Sequence, residues 1–135
     1  MAKESGLGWT TLSVDDASGT PRDIRGDITN LDFATPRAVQ DVTGIDKSAI
    51  ERLLLLADFS GTLNGVFNDA SNQSHSVLRT VPSTSVPRTM SIGVSGQTLA
   101  PEVLITDYPL TRAQGGELTW SCPFVLQDGT VPTWS

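Results

Sequence analysis

A chain of 135 residues has room for one domain and one core, since at this size roughly two thirds of the unfolded surface can be buried. Its net charge of −6, from eleven Asp and four Glu against seven Arg and two Lys, is spread along the sequence and makes a poor footprint for gripping nucleic acid. One cysteine, Cys122, and one histidine, His75, exclude an internal disulfide and any two-histidine or multi-cysteine metal site.

No basic stretch followed by an apolar one comes after Met1, and no apolar run nears the roughly 20 residues of a membrane span. A soluble protein made in the cytosol, without membrane insertion, is expected. The expected organisation is a single domain, residues 1–135, with 1–8 and 128–135 as flexible arms.

Trp9 to Val14 reads as a first strand, closed by the turn formers from Asp15 to Thr20, and Asp23 to Ile28 as a brief return strand. Leu31 and Phe33 then alternate with Asp32 and Ala34, the two-residue repeat of a half-buried strand, until Pro36 ends the run. Arg37 to Asp46 reads as a polar loop. Ser48 followed by Glu51 has the form of a capping box, and Ile50, Leu53, Leu54 and Ala57 recur at helical spacing. One short amphipathic helix over 48–57 is predicted.

The two-residue repeat returns with Phe59, Gly61, Leu63, Gly65 and Phe67 against Asp58, Ser60, Thr62 and Asn64, and the two glycines mark bends or close backbone approach. The loop NDASNQS leads to a helical turn at Ser74 to Thr80, and Val81 to Pro87, with a proline near each end, is extended. Further strands are expected over Arg88 to Ser95, Glu102 to Tyr108 and Glu117 to Leu126. The last has Leu118, Trp120, Cys122 and Phe124 on its apolar face, while Pro123 marks an edge or bulge. The predicted fold class is mainly β, mostly antiparallel, a sandwich or half-barrel with one short helix against it.

Chemistry-bearing constellations are missing from this pattern. There is no Walker loop or dinucleotide fingerprint, His75 reads as a surface loop residue and Cys122 as a buried, inert thiol. No catalytic residue, cofactor site or metal site is assigned. The outward strand positions do stand out: Ser60, Thr62 and Asn64, Thr89 and Ser91, and Thr119 and Ser121 are small and neutral. Such a surface suits a water-filled passage for a polyanion, because each Lys or Arg paired with a phosphate would hold the cargo back.

The stretch TPRAVQDVTGIDKSAIERLLLLADFSGTLNGVFN resembles the tail tube (major tail) proteins of long-tailed bacteriophages, particularly those infecting actinobacteria, with the similarity covering about Asp27 to Asn68. The resemblance implies a virion protein without catalytic activity. Six copies would close into a ring, and rings would stack around a tape measure protein, meet tail terminator and baseplate or tip proteins, and convey genome DNA without binding it specifically. Lumen-facing candidates are then Ser60, Thr62, Asn64, Thr89 and Ser91; inter-subunit candidates are Arg37, Asp41, Asp69, Asn72, His75 and Trp134. A rival reading is a virion decoration protein or a carbohydrate- or receptor-binding β-sandwich, which would normally show several aromatics on one exposed face.

Overall fold

The computed structural model describes residue 3 and residues 5–135, so residues 1, 2 and 4 of the expected N-terminal arm lie outside the described residues. The strands are β1 (Trp9–Asp15), β2 (Pro21–Asp23), β3 (Ile28–Ala34), β4 (Arg37–Asp41), β5 (Arg52–Ala57), β6 (Ser60–Val66), β7 (Arg88–Val94), β8 (Gln97–Leu99), β9 (Glu102–Ile105), β10 (Leu110–Arg112) and β11 (Leu118–Leu126). A helix, α1 (Ser74–Leu78), and a 3-10 turn at Arg25–Asp27 complete the described elements.

Nine strands form one antiparallel sheet in the order β2-β1-β7-β9-β11-β6-β3, with β8 on β7 and β10 on β11. Strand β7 pairs with β1 through Met90 to Val94, then with β9 through Arg88 and Thr89, so the sheet turns a corner there and becomes two layers. Leu12, Val14, Met90 and Ile92 from one layer meet Leu63, Trp120, Cys122 and Phe124 from the other in one buried cluster. Alternation along each strand sends these residues inward and their small polar neighbours outward.

The glycines of β6 act by close approach. A Cβ on Gly61 would sit 2.7 Å from Phe124 Cζ, and one on Gly65 would sit 2.5 Å from Trp120 Cζ2. The register places each glycine directly opposite that aromatic, so the missing side chain makes the space in which the neighbouring strand's ring lies.

The predicted helix over 48–57 is not formed. Residues 52–57 are strand β5, paired with β4, and residues 42–51 are the loop between them. Thr43, not Ser48, receives the Glu51 amide, at 2.9 Å, and Val42 N donates to Glu51 O. The run Leu53–Leu56 has no polar face to define a helical period, and Arg37–Asp41, expected as a loop, supplies a pairing strand. The helix lies at Ser74–Leu78, inside the expected helical turn.

Two further expectations are corrected. The return strand is Pro21–Asp23, with the 3-10 turn between it and β3. Pro123 belongs to a central strand, β11, opposite Thr62 of β6. On its other side the chain is passing from β9 to β10, and Thr106 N reaches Pro123 O at 3.2 Å. Its missing N–H falls at that break in the ladder, where a proline costs little.

Buried polar groups tie α1 to the sheet. Asp27, almost wholly buried, accepts hydrogen bonds from Ser74 N at the helix start and from Asn68 Nδ2, both at 3.0 Å. At the other end the Arg88 guanidinium, 2% exposed, donates to Val77 O (2.9 Å), Asp15 O (2.8 Å) and Thr80 Oγ1 (3.0 Å). Burial lowers the Arg88 pKa from its ordinary value, and the nearby carboxylates of Asp16 and Asp15 oppose that shift.

The Cys122 thiol is buried in the core, as expected, and desolvation raises its pKa from 9.0 to about 12; desolvation likewise moves Tyr108 from 10.0 to about 12. Because the unfolded chain loses these protons first, stability is intact below pH 9 and falls as pH rises from 9 towards 12. The unfolding free energy from urea titrations is expected to drop between pH 8 and pH 11, by at most about 1.4 kcal/mol per pH unit for the buried thiol and by less for the half-buried, solvent-screened phenol. Cys122→Ala removes the thiol's share of that slope, and an unchanged slope in this variant would show that the thiol does not contribute.

Candidate assembly surfaces

Large apolar residues are exposed all along the β4–β5 ribbon, whose backbone ladder joins only its own two strands. Val39 faces Leu54 across one side and Gln40 faces Leu53 across the other, so the ribbon is apolar on both faces. An extra residue in β5 bulges the strand near Leu55 and Leu56, and Arg37 braces it by donating from Nε and Nη2 to Leu55 O at 3.0 and 2.8 Å. Leu56 is 90% exposed and Ile45, in the connecting loop, wholly so.

With Val42, Ile50, Leu53, Leu54 and Leu55 also exposed, the arm carries eight exposed large apolar side chains, and exposed apolar surface gathered in this way marks an association site. A ribbon apolar on both faces is not satisfied by lying on one flat surface. It fits a cleft or a junction between neighbours.

Two strand margins are also open. β3 ends one side of the sheet and β2 the other, and β2 covers only Ser13–Asp15 of β1. Beyond it the Arg25 guanidinium donates to Trp9 O at 3.3 Å and Thr10 O at 2.5 Å, taking the place of a strand. The outer edge of β3 has no strand partner among the described residues.

The five lumen candidates do not share a surface. Ser60, Thr62 and Asn64 lie on the outer face of the layer β9-β11-β6-β3, in rows with Asp32, Asn30 and Ser121. Ser91 pairs with Ser13 on the outer face of the opposite layer, and Thr89 stands at the corner, where its hydroxyl donates to Glu102 Oε2 at 2.6 Å.

The inter-subunit candidates also divide. Arg37 and Asp41 lie on the arm; Asp41 accepts from Thr43 Oγ1 at 2.6 Å and Thr43 N at 3.0 Å, which holds its carboxyl below the ordinary range. Asp69 and Asn72 are exposed in the loop before α1, where Asn72 has a left-handed φ of 63°. That loop follows the Val66 end of β6, while the arm joins at the Ser60 end. His75 is no surface loop residue: it is half-buried in α1, its ring 4.5 Å from Phe67 and its Nδ1 3.1 Å from the Tyr108 hydroxyl. Trp134 lies 6.2 Å from Phe33, and Ser135 exchanges two backbone hydrogen bonds with Thr98.

The sequence reading missed the apolar arm, whose signal was the uninterrupted leucine run, and the Asp27 and Arg88 hubs, which no local pattern announces. Among the described residues no His, Cys, Asp and Glu group is arranged to hold a metal ion.

No protein-family model matches the sequence, and no curated protein matches it. Solved structures do match, among them two over nearly the whole chain. One is a chain in the virion of a native gene transfer agent (GTA) particle, with a TM-score of 0.70, 16% identity and coverage of 98% of this chain and 99% of that one. The other is from the tail of an empty GTA particle, computed with helical refinement and C6 symmetry, with a TM-score of 0.70, 17% identity and 98% coverage of both chains. The mainly β fold is thus shared with these chains of GTA particles.

Proposed function

We propose that this chain is the repeating subunit of a phage-type tail tube, a structural virion protein with no catalytic step. Six copies close each ring, and rings stack around a tape measure protein between tail terminator and baseplate or tip proteins. The tube is the conduit through which genome DNA leaves the particle. The observation that carries this reading is the arm: a two-faced apolar ribbon held clear of the core, on a body with open strand margins, is complete only when copies associate. The likeness in shape to a chain of a C6 helical tail supports it.

In this reading the face carrying Ser60, Thr62 and Asn64 lines the passage. Asn30, Asn64 and Ser121 form one row and Asp32, Thr62 and Pro123 the next, with Asp32 the only charge in either, and its sign repels phosphate. Concentrated protein examined by negative-stain microscopy is expected to form rings or hollow tubes, and a reconstruction is expected to show Thr62 and Asn64 facing the axis. Particles that stay monomeric at all concentrations and salts tested overturn the tube; tubes with Ser91 facing the axis overturn the choice of face alone.

A further inference from the structure

Residues 128–135 leave the end of β11 and cross to β8. Just before them, Leu126 N donates to Phe59 O at 2.8 Å and Gln127 N to Glu102 O at 3.0 Å. A turn follows, in which Thr130 N donates to Asp128 Oδ1 at 3.0 Å and Gly129 takes a left-handed φ of 73°. From there to Trp134 no backbone group is bonded to the body among the described residues, and a cavity of about 230 Å³ lies between the segment and the corner at Ala100, Pro101 and Glu102.

The far end is anchored twice. Ser135 N donates to Thr98 O at 2.9 Å, and Thr98 N to Ser135 O at 2.8 Å. Backbone groups alternate in direction along an antiparallel strand, so Thr98, the middle residue of β8, is the one that turns its N–H and C=O away from β7. The Trp134 ring, 48% exposed, lies 6.2 Å from Phe33 and adds an outer member to the row Phe33, Phe59, Phe124, in which the last two rings are buried.

Main-chain bonds to a free strand edge, with a seat for one side chain, are the means by which a sheet takes up an extended peptide. We propose that the groove between Thr98 and Phe33 is a peptide site, filled by the chain's own residues 130–135 as a latch that lifts as a unit about Asp128 and Gly129. The peptide it takes is extended, with an aromatic residue between small hydroxyl-bearing ones, as in Thr133-Trp134-Ser135. Two backbone bonds and one half-covered ring hold the latch, whereas full ladders hold the body, so the latch opens far more often than the core. Lifting bares the Thr98 edge and Phe33 together. The inference stands apart from the tube reading.

Hydrogen exchange read residue by residue on the full chain tests it. In the wild type the Thr98 amide is expected to exchange at least about tenfold faster than the core amide of Leu63, and more slowly than an open chain. Trp134→Ala is expected to speed Thr98 about tenfold further and leave Leu63 unchanged, with Trp134→Phe between. Thr98→Cys with Ser135→Cys joins a directly opposed pair whose spacing suits a disulfide, and exchange at residue 98 is expected to slow until reductant is added. A synthetic peptide of residues 127–135, at millimolar concentration, is expected to return Thr98 in the Trp134→Ala variant towards its wild-type rate, while the same peptide with alanine for tryptophan leaves it fast. Thr98 unprotected in the wild type, exchanging together with Leu63, or indifferent to the disulfide overturns the latch. Failure of the tryptophan-bearing peptide to slow Thr98 overturns the peptide site.

Discussion

Leu54→Asp combined with Leu56→Asp is expected to abolish tubes while leaving the subunit as stable as before. In the monomer these leucines are 59% and 90% exposed, so little native contact is lost and the melting temperature should shift by no more than about 2 °C. In the assembly each aspartate would bring a charge into an apolar contact, at a cost of several kcal/mol per site repeated in every copy. Sedimentation and microscopy read the loss of assembly, and thermal unfolding reads the intact fold. Tubes of normal length from this variant would remove the arm from the interface. A lowered melting temperature would instead mean that the ribbon packs on its own body.

Arg88→Ala is the complementary case, a change expected to weaken the fold itself. The guanidinium is the donor to Val77 O, Asp15 O and Thr80 Oγ1, so its removal leaves two carbonyls buried without that donor and opens a void beside α1. A loss of about 3 to 5 kcal/mol is expected, a large share of the 5 to 15 kcal/mol that holds a typical domain. Arg88→Lys should fall between, since one ammonium cannot reproduce the planar fork that meets three acceptors. The measurement is urea unfolding of the three proteins side by side. An alanine variant within 1 kcal/mol of wild type would show that the hub does not hold the helix.

The strands of the body were legible because burial on one face imposes a repeat of two. Leu31 and Phe33, Leu63, Met90 and Ile92, and Trp120, Cys122 and Phe124 all point where alternation put them. The arm was not legible for the same reason inverted: with neither face buried in the monomer, nothing thinned its leucines into a pattern, and the run from Leu53 to Leu56 fitted a helix as well as a ribbon. Pro123 was misplaced because a missing donor was equated with the rim of the sheet, whereas the break between β9 and β10 creates such a position in its middle. His75 was misread because its setting depends on Phe67 and Tyr108, residues distant in sequence or on another element. Of the assembly surfaces, residue type was visible and grouping was not, since which outer face a serine or threonine occupies depends on where β7 turns from one layer to the other.

The two legs of the ribbon enter the body side by side, at Pro36 and Asp58, with one hydrogen bond of 3.0 Å between Asp58 N and Pro36 O at their base. In the proposed tube, a limb rooted on so narrow a base would let each joint take up a small tilt, so that curvature is shared along the particle instead of concentrated at one break.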